Sequence, residues 1–170
     1  PFVYMTVGTG IGMGVLANGL PLHGLVHTET GHFAIPHNLE KDPFPGNCPF
    51  HGDCLEGLAS GTAIHLRWGQ KAEDLPASHP GWELEAEYIA LSLINVIYAY
   101  SPRRIVLGGG VCQHAGLHEA VRQKVLQHLN GYIQSPMVLK IIDQYIVPPS
   151  LGNRSGVLGA IAMAMALKRS

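Results

Sequence analysis

Phe2-Val3-Tyr4-Met5-Thr6-Val7 runs straight into Gly8-Thr9-Gly10-Ile11-Gly12, and a second short apolar stretch, Gly14-Val15-Leu16-Ala17, stops at Asn18-Gly19. Residues 2–7 read as a buried strand. Two short apolar runs joined and followed by glycine-rich turns point to β-hairpins and not to a strand–helix unit. The turn between them does not fit the dinucleotide fingerprint, because Met13 stands where the last glycine belongs, and it lacks the Gly-Lys-Ser/Thr ending of a Walker loop. Its backbone N–H groups could still cradle phosphates as a hairpin loop, since glycine permits close approach and positive φ. A plain tight turn explains it equally well.

Outward from this hairpin the pattern changes character. Residues 36–54 are rich in Pro, Asn, Gly, Asp, Cys and His without usable periodicity, so something other than a core must organise them. From Leu55 the spacing turns helical, through Leu58, Ala59, Ile64, Leu66 and Trp68. The clearest helix spans about Trp82 to Tyr100, with Ile89, Leu93, Val96, Ile97 and Tyr100 at three- and four-residue steps and Pro102 closing it. Arg104-Ile105-Val106-Leu107 reads as a strand entering Gly108-Gly109-Gly110, followed by a helix from about Gly116 to Tyr132. Ile141-Ile142 with Tyr145-Ile146-Val147 is expected to form another strand. A final helix from near Ser155 carries Val157, Leu158, Ile161 and Met165 among small residues. Strands first, then alternating helix and strand, define a mixed α/β domain.

The composition is that of one globular domain. The chain has 170 residues, 46% hydrophobic and 14% charged, which is far from the composition of disorder and long enough for one well-buried domain. A formal net charge of -1 gives no basic field for nucleic acid or anionic lipid. No run of about 18 apolar residues exists to span a membrane. Pro1 leads directly into the first strand, without a basic leader or cleavage site, so the reading is a cytoplasmic protein with further chain upstream. An ordinary strand exposed by processing is the alternative. Three cysteines, Cys48, Cys54 and Cys112, do not form an even disulfide framework and suit a reducing compartment.

The sharpest local signal is Cys48-Pro-Phe-His51-Gly-Asp-Cys54. Two thiols and an imidazole at three-residue steps let one tight loop wrap a tetrahedral Zn²⁺, with bonds of about 2.0–2.3 Å. His32, in Glu29-Thr30-Gly31-His32, is the expected fourth ligand, because it sits upstream in a polar turn after a strand. Two thiolates balance the ion and leave a neutral cluster, cheaper to hold partly buried. The remaining histidines, including His65, His79, His114, His118 and His128, read as surface or satisfied core residues, and Cys112 as a buried structural thiol. Gly108-Gly109-Gly110-Val111 precedes a helix and suits a nucleotide at its start, and Leu151-Gly152-Asn153-Arg154-Ser155-Gly156 opens the last helix similarly. A structural role for each of these turns stays open.

Taken in order across nearly the whole chain, these motifs resemble the ROK family of sugar kinases and related repressors. The resemblance rests on the Gly8–Gly12 turn, Glu29-x-Gly31-His32, a cysteine cluster running into Cys54-Leu55-Glu56-Gly57, the Gly108–Gly110 turn and the glycine-rich entry to the last helix. The family's commonest cluster is Cys-x-Cys-Gly-x-x-Gly-Cys. Here His51 replaces a thiolate, and Cys54-Leu55-Glu56-Gly57-Leu58-Ala59-Ser60-Gly61 follows, which looks like the bacterial fructokinase branch. The resemblance implies an actin-like, ribonuclease H-like ATPase lobe: a mixed sheet with flanking helices, residues 1–170 forming the C-terminal lobe. It implies ATP-dependent phosphorylation of fructose by a full-length enzyme using Mg-ATP and a structural zinc. The last helix, lined with Met163, Met165 and small residues, offers a packing surface either for a homodimer or for an internal core contact. By resemblance Thr9 and Gly10 meet the ATP phosphates, Gly109, Gly110 and Asn153 border the adenosine, and Glu29, His32 and Glu56 contact the sugar. His32 would serve metal and sugar at once. Glu29 could instead support the metal loop, and Glu56 could merely complement a helix dipole. The first phosphate motif and the catalytic Asp of the family find no match, so the general base is expected in an N-terminal lobe absent from this chain, and this piece alone is expected to be inactive. The alternatives are a kinase for another hexose, the sugar-sensing domain of a ROK repressor, or a zinc-stabilised interaction domain.

Overall fold

A computed structural model describes residues 1–167. The strands are β1 (Phe2–Val7), β2 (Ile11–Ala17), β3 (Leu20–Pro21), β4 (Arg104–Gly108) and β5 (Ile146–Val147). The helices are α1 (Leu55–Ala59), α2 (Gly61–Trp68), α3 (Gly81–Tyr100), α4 (Leu117–Leu129), α5 (Pro136–Leu139), α6 (Ile142–Tyr145) and α7 (Ser155–Leu167).

β1 and β2 form the expected hairpin, paired from Phe2–Leu16 to Val7–Ile11. β1 then pairs parallel with β4, and β4 parallel with β5, giving one five-stranded mixed sheet in the order β3-β2-β1-β4-β5. Strand alternation decides which face is covered. Val3, Met5, Val7, Met13, Val15, Ile105, Leu107 and Ile146 point into the core. There they meet α3 through Ala86, Ile89, Leu93 and Val96, and α4 through Leu117, Val121, Val125 and Leu129. Burying a Leu, Ile or Val side chain is worth about 1.5–3 kcal/mol, so this layer supplies most of the domain's cohesion. The opposite face, with Phe2, Tyr4 and Leu16, is exposed, and α7 exposes Val157, Ile161, Met163 and Met165.

Local chemistry sets the helix ends. The stretch from Leu55 to Trp68 breaks at Ser60, whose hydroxyl accepts from Ala63 N at 3.1 Å and starts α2 afresh. α4 stops at Leu129, short of the expected Tyr132, because Asn130 turns left-handed at φ 45°. The strand expected over Ile141-Ile142 is a helical turn instead, and only Ile146–Val147 pairs with the sheet. Arg122 explains the difference: its guanidinium donates to the carbonyls of Asp143 and Ile146, satisfying them at the end of a turn. Glu85 lies in the core on the inward face of α3, where burial raises its carboxyl well above the usual range despite the opposing pull of Arg67. Its Oε1 makes no hydrogen bond within the protein.

Candidate metal centre and adjoining glycine turn

The irregular segment after β3 is organised around sulfur and imidazole. Cys48 and Gly52 exchange backbone hydrogen bonds (Cys48 N to Gly52 O 3.1 Å, Gly52 N to Cys48 O 2.9 Å), closing a hairpin that turns Cys48, His51 and Cys54 to one point. Glycine makes the fold-back possible. A Cβ on Gly57 would lie 2.0 Å from Gly52 O, so the start of α1 can touch the hairpin only without a side chain there. Leu55 N donates to Phe33 O at 2.9 Å, bringing the Thr30–His32 turn alongside.

One ligand atom from each of His32, Cys48, His51 and Cys54 lies within 4.8 Å of the others. His32 Nδ1 stands 3.4 Å from Cys54 Sγ and 3.7 Å from Cys48 Sγ, and His51 Nδ1 is 3.6 Å from Cys48 Sγ. A tetrahedral zinc with ordinary bond lengths sets N to S edges of about 3.6 Å, so the donor set fits that ion. Burial acts to raise the Cys48 thiol, but hydrogen bonds from the Phe50 and His51 backbone and from Cys54 outweigh it and hold it below its ordinary range. Cys54 is pushed up, first by burial and then by its neighbour Cys48. The two neighbouring sulfurs are thus shifted in opposite directions, and metal ligation would require both as thiolates.

A polar network not read from the sequence ties this hairpin to the core. The buried His37 ring lies 3.1 Å from Asp53 Oδ2 through Nδ1 and 3.0 Å from the Asp42 carbonyl through Nε2. Asp42, 3% exposed, accepts from Tyr88 Oη at 2.7 Å and from Arg67 Nε at 3.1 Å. Arg67 also donates to Leu58 O and lies over the Phe44 ring. Burial and the Asp42 carboxylate together push the Tyr88 hydroxyl upward. No short spacing announces these partners, which lie up to 46 residues apart.

The metal corner also abuts the β1–β2 turn. A Cβ on Gly31 would fall 2.2 Å from Ile11 O, so the Glu29–His32 motif packs directly on the start of β2. Glu56, at the start of α1, accepts from Ile11 N through Oε2 at 2.8 Å while its Oε1 lies 4.0 Å from His32 Nε2. The helix-dipole reading of Glu56 is thus incomplete: its carboxylate is committed to the turn. Gly61 N and Thr62 Oγ1 donate to the carbonyls of Gly8 and Thr9 at 2.6 and 2.8 Å. Glu29 is exposed beside the motif.

Thr9 and Gly110 face one open cleft of about 750 Å³, whose walls include Thr62, His65, Lys71 and a stacked Trp82–His114 pair (ring centroids 3.7 Å apart). Gly10 sits at the hairpin tip against Glu56 rather than in that lining. Gly109 and Gly110 border a second cleft of about 510 Å³ with Pro149, Gly152 and Ser155. The side chain of Asn153 lies outside the described residues. His118 pairs with the Leu107 carbonyl and His128 with Glu87, as satisfied histidines should. Cys112 is buried, and that burial pushes its thiol up to about 12.

Residues 1–167 match the ROK family. The chain is 45% identical over 167 residues to a fructokinase from Zymomonas mobilis, covering 96% of this chain and 54% of that protein. It is 42% identical over 164 residues to a fructokinase from Pediococcus pentosaceus, covering 96% of this chain and 55% of that protein. Among solved structures, a ROK hexokinase from Thermus thermophilus superposes with a TM-score of 0.76 at 27% identity, covering 99% of this chain and 58% of that one. The chain therefore spans about half the length of the curated relatives it matches.

Proposed function

Because the chain belongs to the ROK family, we propose that it forms the C-terminal, zinc-carrying lobe of an ATP-dependent fructokinase. The observation that carries this reading is the meeting of two motifs at one carboxylate: Glu56 accepts from the phosphate turn at Ile11 N and faces His32 of the metal corner. A kinase needs its acceptor sugar beside its γ-phosphate, and phosphoryl transfer is largely a matter of holding the two in line. The fructokinase relatives at 42% and 45% identity support fructose over another hexose.

In this reading Thr9 and the Gly8–Gly10 backbone hold the phosphates of Mg-ATP. The adenosine lies against Gly109, Gly110 and Asn153, with Gly109 and Gly110 bordering the cleft that Pro149, Gly152 and Ser155 complete. Glu29, His32 and Glu56 bind sugar hydroxyls. His32, Cys48, His51 and Cys54 hold zinc, which would close the loop structurally and leave no open position for activating water. With Nδ1 turned to the sulfurs, His32 keeps Nε2 for the sugar side, its ring fixed by the ligation.

The general base and the first phosphate motif come from protein outside this chain. The uncovered sheet face and the apolar α7 are where such a lobe, or a second copy in a homodimer, would pack. Residues 1–170 alone would not turn over substrate. No described helix is long and apolar enough to cross a membrane, in keeping with a cytoplasmic enzyme. The test is a coupled assay of the full-length protein with ATP and a panel of hexoses. Fructose should be phosphorylated with the highest kcat/KM. Sugar binding without any phosphorylation would point to a repressor-type sensor and overturn the kinase reading.

A further inference from the structure

We infer that Glu56 couples sugar binding to nucleotide binding by sharing one rigid carboxylate between the two sites. The inference rests on the sugar-kinase reading and adds to it a thermodynamic link through named atoms.

One oxygen, Oε2, takes the Ile11 N–H at 2.8 Å, within the turn proposed for phosphate. The other, Oε1, faces His32 Nε2 at 4.0 Å, and both side chains are about a third exposed (31% and 29%), so a ligand can reach the gap. That 4.0 Å separation is too long for a hydrogen bond, so Oε1 keeps acceptor capacity for a hydroxyl. The turn has few other restraints. Gly8 N closes on Gly10 O, Gly61 N and Thr62 Oγ1 hold two of its carbonyls, and Glu56 is the side chain that grips the N–H of Ile11. Contact is close enough that a Cβ on Gly10 would lie 2.7 Å from Glu56 Oε2.

A hydroxyl bound at Oε1 fixes the side-chain torsions of Glu56, and with them the position of Oε2. The existing Ile11 bond is then held more firmly, and with it the turn that meets the phosphate. Linkage makes the effect reciprocal, so nucleotide must tighten sugar binding by the same factor. Two substitutions separate this device from a simple sugar contact. Glu56→Asp is one methylene shorter and cannot span both partners. Gly10→Ala pushes the carboxylate off Ile11 N from the turn side, its Cβ falling 2.7 Å from Oε2 and 3.5 Å from Cδ.

The experiment is titration calorimetry on the full-length, zinc-loaded protein, using a non-hydrolysable ATP analogue with and without saturating fructose, and fructose alone. The unmodified protein should bind the analogue about fivefold or more tightly when fructose is present. Glu56→Asp should bring that ratio within twofold of one, and Gly10→Ala should weaken fructose binding measured in the absence of nucleotide. Metal content and circular dichroism report whether each variant is folded. A ratio near one in the unmodified protein overturns the coupling, as does an unchanged ratio in folded Glu56→Asp or unchanged fructose affinity in folded Gly10→Ala. Failure of the unmodified protein to bind fructose at all would instead overturn the sugar-kinase reading beneath it.

Discussion

The corner spanning residues 29–57 and the helical layer of α3 and α4 hold themselves together by opposite means. The layer is built on area: Ile89, Leu93, Val96, Val121 and Val125 are buried at helical spacing against the sheet. The corner has little regular structure and few large apolar residues. It stands on a cluster of four candidate metal ligands, a glycine contact between Gly57 and the Gly52 carbonyl, and the His37–Asp42–Arg67 network. Loss of buried area is graded, because the cost follows the atoms removed and the cavity left after neighbours partly relax. Loss of directional bonds is not, because a removed partner leaves a buried polar group or sulfur with nothing to face. The corner should therefore fail sharply and as a unit, while the layer should weaken by degrees.

The largest effect is expected from Cys54→Ser. Loss of one thiolate should release the metal and destabilise the full-length protein by about 3 kcal/mol or more, since structural zinc binding is itself folding free energy. Thermal melts with and without a chelator check this, and the variant should be indifferent to chelation. Next comes a matched pair, Gly57→Ala and Leu93→Ala. Each should cost about 2–5 kcal/mol, the first by a backbone clash and the second by a core cavity. Only Gly57→Ala should also lower zinc content, and equal metal loss in both would erase the distinction between corner and layer.

Glu85 is a titratable exception in the apolar layer and gives a pH test. Its folded carboxyl titrates well above the unfolded value of 4.5, so the folded state binds more protons across that interval. The stability contributed is complete below pH 4.5 and is lost as pH rises toward the folded value. Glu85→Gln should therefore melt several degrees higher than the unmodified protein at pH 7, with the gap shrinking toward pH 4. The smallest effect belongs to α7. Ile161→Asp should change the stability of residues 1–170 by no more than about 0.5 kcal/mol, since Ile161 is 51% exposed. The same substitution in the full-length protein should cost clearly more if α7 is covered there.

What was legible in the sequence follows the same division. The hairpin, α3, β4 and α7 announce themselves through periodicity and punctuation, which are local signals. The metal set is legible because Cys48, His51 and Cys54 crowd one short loop and His32 stands in a turn nearby. Break points depending on one hydroxyl, as at Ser60, or one long-range guanidinium, as at Ile142–Tyr145, are invisible to a periodicity argument. His37 went unread because its partners Asp42 and Asp53 lie 5 and 16 residues downstream in a segment with no period. Glu85 did leave a trace: it falls four and eight residues before Ile89 and Leu93, on the face that spacing assigns to the core. The grip of Glu56 on Ile11 joins residues 45 apart and needed coordinates.

The claim that most needs testing is that the corner is built by a metal. Native mass spectrometry of the full-length protein, with elemental analysis of the same sample, addresses it directly. One zinc per chain is expected, falling to none in a Cys48→Ser, Cys54→Ser double variant. A folded protein that carries no zinc, or a double variant that keeps its full metal content, would contradict the account.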